Sequence, residues 1–258
     1  MKTKRAVCLA VAVCLVSSCT VLAQSNSVTA PQSGSSSVAD HIGMGVKVGL
    51  LGAGAEIAAR LDRHSNVRAG FNVLGYSRSF DKDGINYDGH LSFRTIEAHY
   101  DYYPWAGKFH ISGGMLDYIG NPITANALVP QDASFTLGGH TYYGAAAPNQ
   151  AMASGRVNFN QVSPTVTFGW GNLVRENHHF SVPIELGVAF QGSPKSTLNL
   201  LGDVCDQPST SGLPQNCRAV SSDPTVQTNI LSEQTKLNNS MKPFKFYPII
   251  SIGFGYKF

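Results

Sequence analysis

The chain has 258 residues, of which 43% are hydrophobic, 10% aromatic and only 14% charged. A mean hydropathy of −0.06 excludes a polytopic helical membrane protein, and so much apolar and aromatic material excludes wholesale disorder. The formal net charge of +3 comes from Lys2, Lys4 and Arg5 alone; without them 16 basic and 16 acidic residues remain, and no basic stripe is left for nucleic acid.

Those three basic residues precede an eleven-residue run of Ala, Val, Leu and Cys at 6–16. A helical bilayer span needs about 20 residues. The run therefore reads as the core of a secretory signal peptide over 1–23, cleaved after Val21-Leu22-Ala23. An alternative is the lipobox Val16-Ser17-Ser18-Cys19, whose Cys19 would be acylated. Residues 24–41 are rich in Ser, Gln, Thr and Pro and read as a flexible linker. That leaves 42–258 as the folded domain.

Beyond the linker the apolar residues recur with period two, not 3.6. Strands are predicted at about 43–51, 53–61, 67–80, 88–103, 108–120, 156–171, 180–194 and 244–258. Between the first two a tight hairpin is expected, because Lys47 and Glu56 face inward together only if parity switches between them. One long strand with a bulge at Gly52 or Gly54 is the alternative. Short connections at 62–66, 105–107 and 175–179 alternate with long ones at 121–155 and 193–243. Within the first long one, 133–143 reads as a projecting hairpin about Gly138-Gly139; if it joined the wall, the count would be ten. The second holds a short helix, capped by Asp223 with Pro224 first. Val226, Ile230 and Leu237 lie roughly on one of its faces, through about residue 238. It also holds Cys205 and Cys217, an isolated pair that in an exported protein points to one disulfide; two free thiols are the alternative.

The last strand is the clearest. Phe244, Phe246, Pro248, Ile250, Ile252, Phe254, Tyr256 and Phe258 share one face; Lys245, Tyr247, Ile249, Ser251, Gly253, Gly255 and Lys257 share the other. Alternation alone fits a soluble sandwich or lipocalin-like barrel as well as a lipid-facing one. Three features favour lipid. Aromatics gather at strand ends (Tyr100, Tyr102, Tyr103 and Trp105; Trp170; Phe244 and Phe246), connections alternate short and long, and the chain ends on Phe258.

The terminal run Tyr247-Pro248-Ile249-Ile250-Ser251-Ile252-Gly253-Phe254-Gly255-Tyr256-Lys257-Phe258 resembles the C-terminal insertion signal of Gram-negative outer-membrane barrels. Asp83-Gly84-Ile85-Asn86-Tyr87, Leu91, Phe93 and Asp101-Tyr102-Tyr103-Pro104 resemble members of unassigned function among the small, OmpA/OmpX-like outer-membrane barrels. The resemblance covers about residues 42–258. It implies an all-β, antiparallel transmembrane β-barrel in the outer membrane of a Gram-negative bacterium, for which the strand count above gives eight strands. Its implied partners are outer-membrane lipid and the barrel-assembly machinery, the latter engaged through Phe254, Tyr256 and Phe258. It names no extracellular ligand, no cofactor and no activity.

The inward face is expected to carry Lys47, Glu56, Arg60, Arg68, Glu97, His99, Asp101, Glu185 and Lys245. Buried charges must pair, so the expectation is a salt-bridge network sealing a narrow bore. The alternative is a polar path for ions or a small solute. His110-Ile111-Ser112 resembles the His-x-Ser pair of lipid A deacylase barrels, but no acid on the following strand would orient the histidine. Asp81, Asp83, Asp88 and His90 stand near a rim where a barrel protease keeps its acids, and read better as hairpin chemistry. Asp81-x-Asp83-Gly84-x-Asn86-x-Asp88 offers oxygens to calcium but lacks the bidentate Glu, and His178-His179 reads as solvated. No metal site or catalytic residue is assigned. The expected function is a structural or surface-interaction role. A narrow porin-like channel is the alternative, ahead of an outer-membrane hydrolase or a soluble periplasmic protein.

Overall fold

The computed structural model describes residues 41–120, 123–176 and 178–258. The expected signal peptide and the expected linker, His41 apart, lie outside the described residues. In chain order the strands are β1 (Ile42–Gly49), β2 (Gly52–Arg60), β3 (Ser65–Lys82), β4 (Ile85–Tyr102), β5 (Phe109–Tyr118), β6 (Ile123–Leu128), β7 (Ser134–Leu137) and β8 (His140–Gly144). There follow β9 (Met152–Asn158), β10 (Val162–Trp170), β11 (Phe180–Ser181), β12 (Ile184–Phe190), β13 (Lys195–Leu201), β14 (Asp203–Gln207) and β15 (Gln215–Ala219). Helix α1 (Pro224–Met241) and β16 (Phe246–Lys257) complete the fold.

Eight of these strands close into an antiparallel ring in the order β1-β2-β3-β4-β5-β10-β12-β16, and β16 returns to β1. Closure pairs every wall strand on both sides and abolishes sheet edges. The expected hairpin joins β1 and β2: Gly49 pairs with Gly52, which sits at φ +100°, a backbone state that favours glycine. The β3–β4 hairpin turns at Asp83 (φ +57°) and Gly84 (φ +75°). Two left-handed residues in a row match the twist of the flanking strands.

The outer face of the ring is apolar. Val162, Val166, Phe168 and Trp170 of β10 and Ile250, Ile252, Phe254 and Tyr256 of β16 are all exposed. The nine residues of β10, rising about 3.4 Å each and tilted about 40°, give a belt roughly 23 Å tall, the height of a hydrocarbon core crossed by a barrel.

Two predicted wall strands are divided. The segment 156–171 becomes β9 and β10, and only β10 enters the ring; β9 leaves it to pair with β6 and β13. The segment 180–194 breaks at Pro183, which has no N–H for the ladder, into β11 and β12. The long connections are not irregular either. β4 pairs with β5 over its lower half and with β6 over its upper half. The sheet thus continues above the ring through β6, β9 and β13. A second sheet, β15-β14-β8-β7, stands beside it. The expected hairpin at 133–143 is β7–β8, turning on Gly138 (φ +62°) and Gly139 (φ +95°), and it stays outside the wall. Ile85, Val129, Tyr142, Leu200, Val204, Val220, Val226 and Ile230 form a core of their own in this platform.

Asp223 caps α1 by accepting the N–H groups of Thr225 (2.8 Å) and Val226 (2.9 Å), with Pro224 following. The helix runs three residues past the expected end. Val226 and Ile230 are buried, but Leu237 is exposed. The reason lies in β13, which is the free edge of its sheet. Gln234 accepts the N–H of Leu198 at 3.1 Å, and Asn238 accepts that of Ser196 at 2.7 Å. The second half of α1 therefore docks by amides laid along a strand edge, not by an apolar stripe. At the opposite end, the Ser65 hydroxyl and the His64 N–H hold the Asp62 carboxyl below its ordinary range. That turn gains support above the ordinary carboxylate pKa and loses it as pH falls through the lowered one.

The double substitution Gln234→Ala, Asn238→Ala is expected to leave two edge N–H groups without protein partners, at about 1 kcal/mol each. Amide exchange across 195–200 should accelerate while exchange in β1, β2 and β16 stays slow. Unchanged exchange in β13 would contradict this edge-capping role.

Candidate functional site

The interior of the ring is filled in three layers. The middle layer is ionic. Arg68 of β3 donates from Nη1 to Glu56 Oε2 (3.0 Å) and Glu185 Oε2 (3.1 Å), and from Nη2 to Glu185 Oε1 (2.6 Å) and Asp101 Oδ1 (3.2 Å). Its Nε reaches Asp101 Oδ2 at 3.2 Å. Asp101 and Glu185 each receive it through both oxygens, the paired geometry that gives Arg–carboxylate contacts their strength. Lys47 of β1 bonds to Glu97 and lies 3.4 Å from Glu56.

Two buried cations, Lys47 and Arg68, thus face four buried carboxylates. Neutral donors meet the surplus: Ser112 gives its hydroxyl to Asp101 (2.6 Å), Thr167 to Glu185 (2.6 Å), and the Asn72 amide reaches Glu97 (3.3 Å). His99 Nε2 stands 3.8 Å from Glu97. Small residues make the room. A Cβ on Gly70 would meet Glu97 Oε1 at 2.6 Å, and one on Gly114 would meet His99 Nδ1 at 2.6 Å.

The layer toward the long connections is aromatic. Phe93, Tyr118, Phe159 and Tyr247 pack with centroids 5.4 to 5.9 Å apart, over Leu51, Leu116 and Ile249. Gln191 accepts the Tyr118 hydroxyl at 3.0 Å. At the other end Leu173 and Val174 fold in against Ala58. The cavity left among the ionic groups is about 10 Å³, room for about one water molecule.

Of the residues expected inside, Lys47, Glu56, Arg68, Glu97, His99, Asp101 and Glu185 are brought together in this buried layer. Arg60 and Lys245 are not. Arg60 lies half-buried at the rim, with Nη1 on Glu176 (2.8 Å) and Nε toward His41 (3.3 Å). Lys245 is exposed, because β16 begins one residue later and its inward parity starts above the wall. Tyr103 does not join the aromatic girdle; it is buried, since the chain turns inward where β4 ends. Cys205 and Cys217 form a disulfide across β14–β15.

Ser112 and His110 are both buried, and they do not pair: the serine bonds to Asp101, and the His110 ring packs 5.2 Å from that of Tyr103. Asp88 accepts from Ser79, and Asp81 from the Gly84 N–H, within their hairpin. No cluster of three metal-ligating side chains occurs among the described residues. His179 sits 3.1 Å from the Lys257 carbonyl. Sequence reasoning missed Asn72, Thr95 and Thr167, which share the inward parity of the charged residues and could have been found by it. It also missed the aromatic and Leu173 seals, in which Phe159 and Leu173 come from connections.

No family model and no curated protein matches the chain. Solved structures similar to it include two from Acinetobacter baumannii. CarO is 18% identical, with a TM-score of 0.49 over 84% of this chain and 97% of that one. CarO2 is 18% identical, with a TM-score of 0.50 over 84% of this chain and 98% of that one. At this identity the likeness to CarO2 concerns the fold, and no residue's role passes from it to this chain. The closed eight-stranded barrel itself is the architecture that the motif resemblance implied.

Arg68→Met should strand Glu185 and Asp101 in the bore and cost about 3–5 kcal/mol. Arg60→Ala, at the wetter rim, should cost about 1 kcal/mol or less. Urea unfolding in lipid vesicles, followed through Trp105 and Trp170, measures both. Equal losses would mean that the buried network does not carry the barrel's stability.

Proposed function

We propose that this protein is an integral outer-membrane β-barrel with a sealed lumen, and that its working surface is the folded platform above the wall. The carrying observation is the filling of the bore. A ring of ion pairs lies between an aromatic layer and the Leu173–Val174 closure, with about 10 Å³ left over. The apolar belt and the aromatic rings at both its ends support the membrane setting. On this reading residues 1–23 direct export, and the short turns and both chain ends face the periplasm. Phe254, Tyr256 and Phe258, exposed on β16, are then the terminal signal read by the assembly machinery, and outer-membrane lipid surrounds the belt.

The platform suits a structural or surface-interaction role. It has two sheets, a helix, its own core and a disulfide that closes a 12-residue separation. A crosslink of that span stabilises by about 3 kcal/mol in the chain-entropy model. Rigid, folded connections of this kind present a defined surface rather than a mobile fringe.

The refolded barrel should shift on a gel between unboiled and boiled samples, and should insert into planar bilayers without discrete conductance. Reproducible openings, with ion selectivity altered by Glu97→Gln or Glu185→Gln, would overturn the sealed lumen in favour of a narrow channel.

A further inference from the structure

The wall is notched at its short-turn end. β10 stops at Trp170, paired with Ile184 of β12 and with Phe109 of β5. The chain leading into β12 begins lower: Phe180 and Ser181 pair with Tyr256 and Gly255 of β16. Residues 180–182 therefore run below the end of β10 with no strand beside them on that side. A cavity of about 270 Å³ fills the notch, lined by Lys108, Asn172, Arg175, His178, Phe180 and Val182 among others.

The chemistry of that lining is one-sided. Lys108, Arg175 and His178 contribute to it, and no carboxylate does. Glu176 is committed elsewhere, to Arg60 at 2.8 Å. Arg175 is half-buried, and among the described residues its guanidinium meets no acceptor and no acid. Only its carbonyl is engaged, by the Lys257 ammonium at 3.4 Å, which adds a further cation nearby. A half-buried arginine without an acid partner leaves a place for an anion, and its planar fork suits a phosphate.

The depth of the notch says where that phosphate would come from. On one side Trp105, Phe109 and Trp170 form a chain of rings with centroids 5.5 and 5.0 Å apart. On the other, Phe180 packs against Phe254 (5.6 Å) and Tyr256 (5.3 Å). Such rings gather at headgroup level. Phe180 and Val182 are exposed on the outer face of the notch, so the cationic pocket opens onto the apolar belt. A free anion needs no such wall; a lipid does.

We propose that this notch binds the phosphate of an anionic glycerophospholipid in the leaflet at the short-turn end. Arg175 and Lys108 hold the phosphate, and the acyl chains lie along Val182 and Ile184. The proposal rests on the membrane reading above. Its chemistry is shared with inorganic phosphate, so the test separates the two sources.

The refolded full-length barrel is compared with its Lys108→Gln, Arg175→Gln variant, after both pass the gel-shift check. Native mass spectrometry then counts the phosphatidylglycerol and phosphatidylcholine retained by each. The wild type should prefer phosphatidylglycerol, and the variant should lose roughly thirtyfold in that preference, since each of the two removed cations contributes about 1 kcal/mol near an anionic surface. Lys108→Gln alone, at an exposed position, should lose part of it. Equal retention of the two lipids, or an unchanged preference in the double variant, overturns the site. Full displacement of phosphatidylglycerol by inorganic phosphate reassigns the notch to a free anion and overturns the lipid proposal. Absence of the gel shift and of vesicle insertion overturns the membrane reading itself, a result distinct from a folded, inserted barrel without lipid preference.

Discussion

Everything inside this barrel answers to the reach of Arg68. An eight-stranded ring leaves an interior that side chains must fill themselves, and a charge placed there has no water to fall back on. Arg68 meets that constraint by engaging carboxylates from β2, β4 and β12 at once, one of them 117 residues away in the chain. The network is therefore also a register device. Sliding β3 by one residue would turn Arg68 toward lipid and Val67 toward the bore, and a basic residue facing mid-bilayer lipid costs about 2–4 kcal/mol. Gly70 and Gly114 follow from the same demand, because the carboxylate of Glu97 and the ring of His99 occupy the space that their side chains would need.

The ring was legible in the sequence because period-two alternation is local. Val166, Phe168 and Trp170 against Thr165, Thr167 and Gly169 announce a two-faced strand without reference to any other residue. The buried charges followed from the same parity, which is why Lys47, Glu56, Arg68, Glu97 and Glu185 could be placed on the inner face. Parity fails where a strand ends. Lys245 has the right alternation but stands one residue before β16, and Tyr103 looks like a girdle aromatic until the chain bends inward after β4. The seals were illegible for a related reason. Phe159 and Leu173 lie in connections, and what brings them over the bore is the closure of the ring, not anything in their neighbourhoods.

The platform shows a further limit. Its strands are four to seven residues long, too short for alternation to stand out from Gly- and Pro-rich surroundings. They exist because β3 and β4 overrun the wall and offer β6 an edge to pair with. Each added strand then creates a new edge, until β13 would be left bare. Helix α1 ends that series with Gln234 and Asn238 in place of another strand. This explains why an amphipathic reading of the helix overestimated Leu237: half of the helix serves an apolar core, and half serves a row of backbone N–H groups.

The filled interior divides the molecule into two ends with different chemistry. The platform end has an apolar core of its own and pairs Arg218 with Asp206 and Asp223 across its surface. The short-turn end lines its notch with Lys108 and Arg175 and no carboxylate: Asp62 is occupied by its own turn and Glu176 by Arg60. Between these ends the ionic layer joins seven of the eight wall strands to one another. On the reading proposed above, one wall then carries two separate surfaces: the platform built from the long connections, and the cationic notch at the short-turn end.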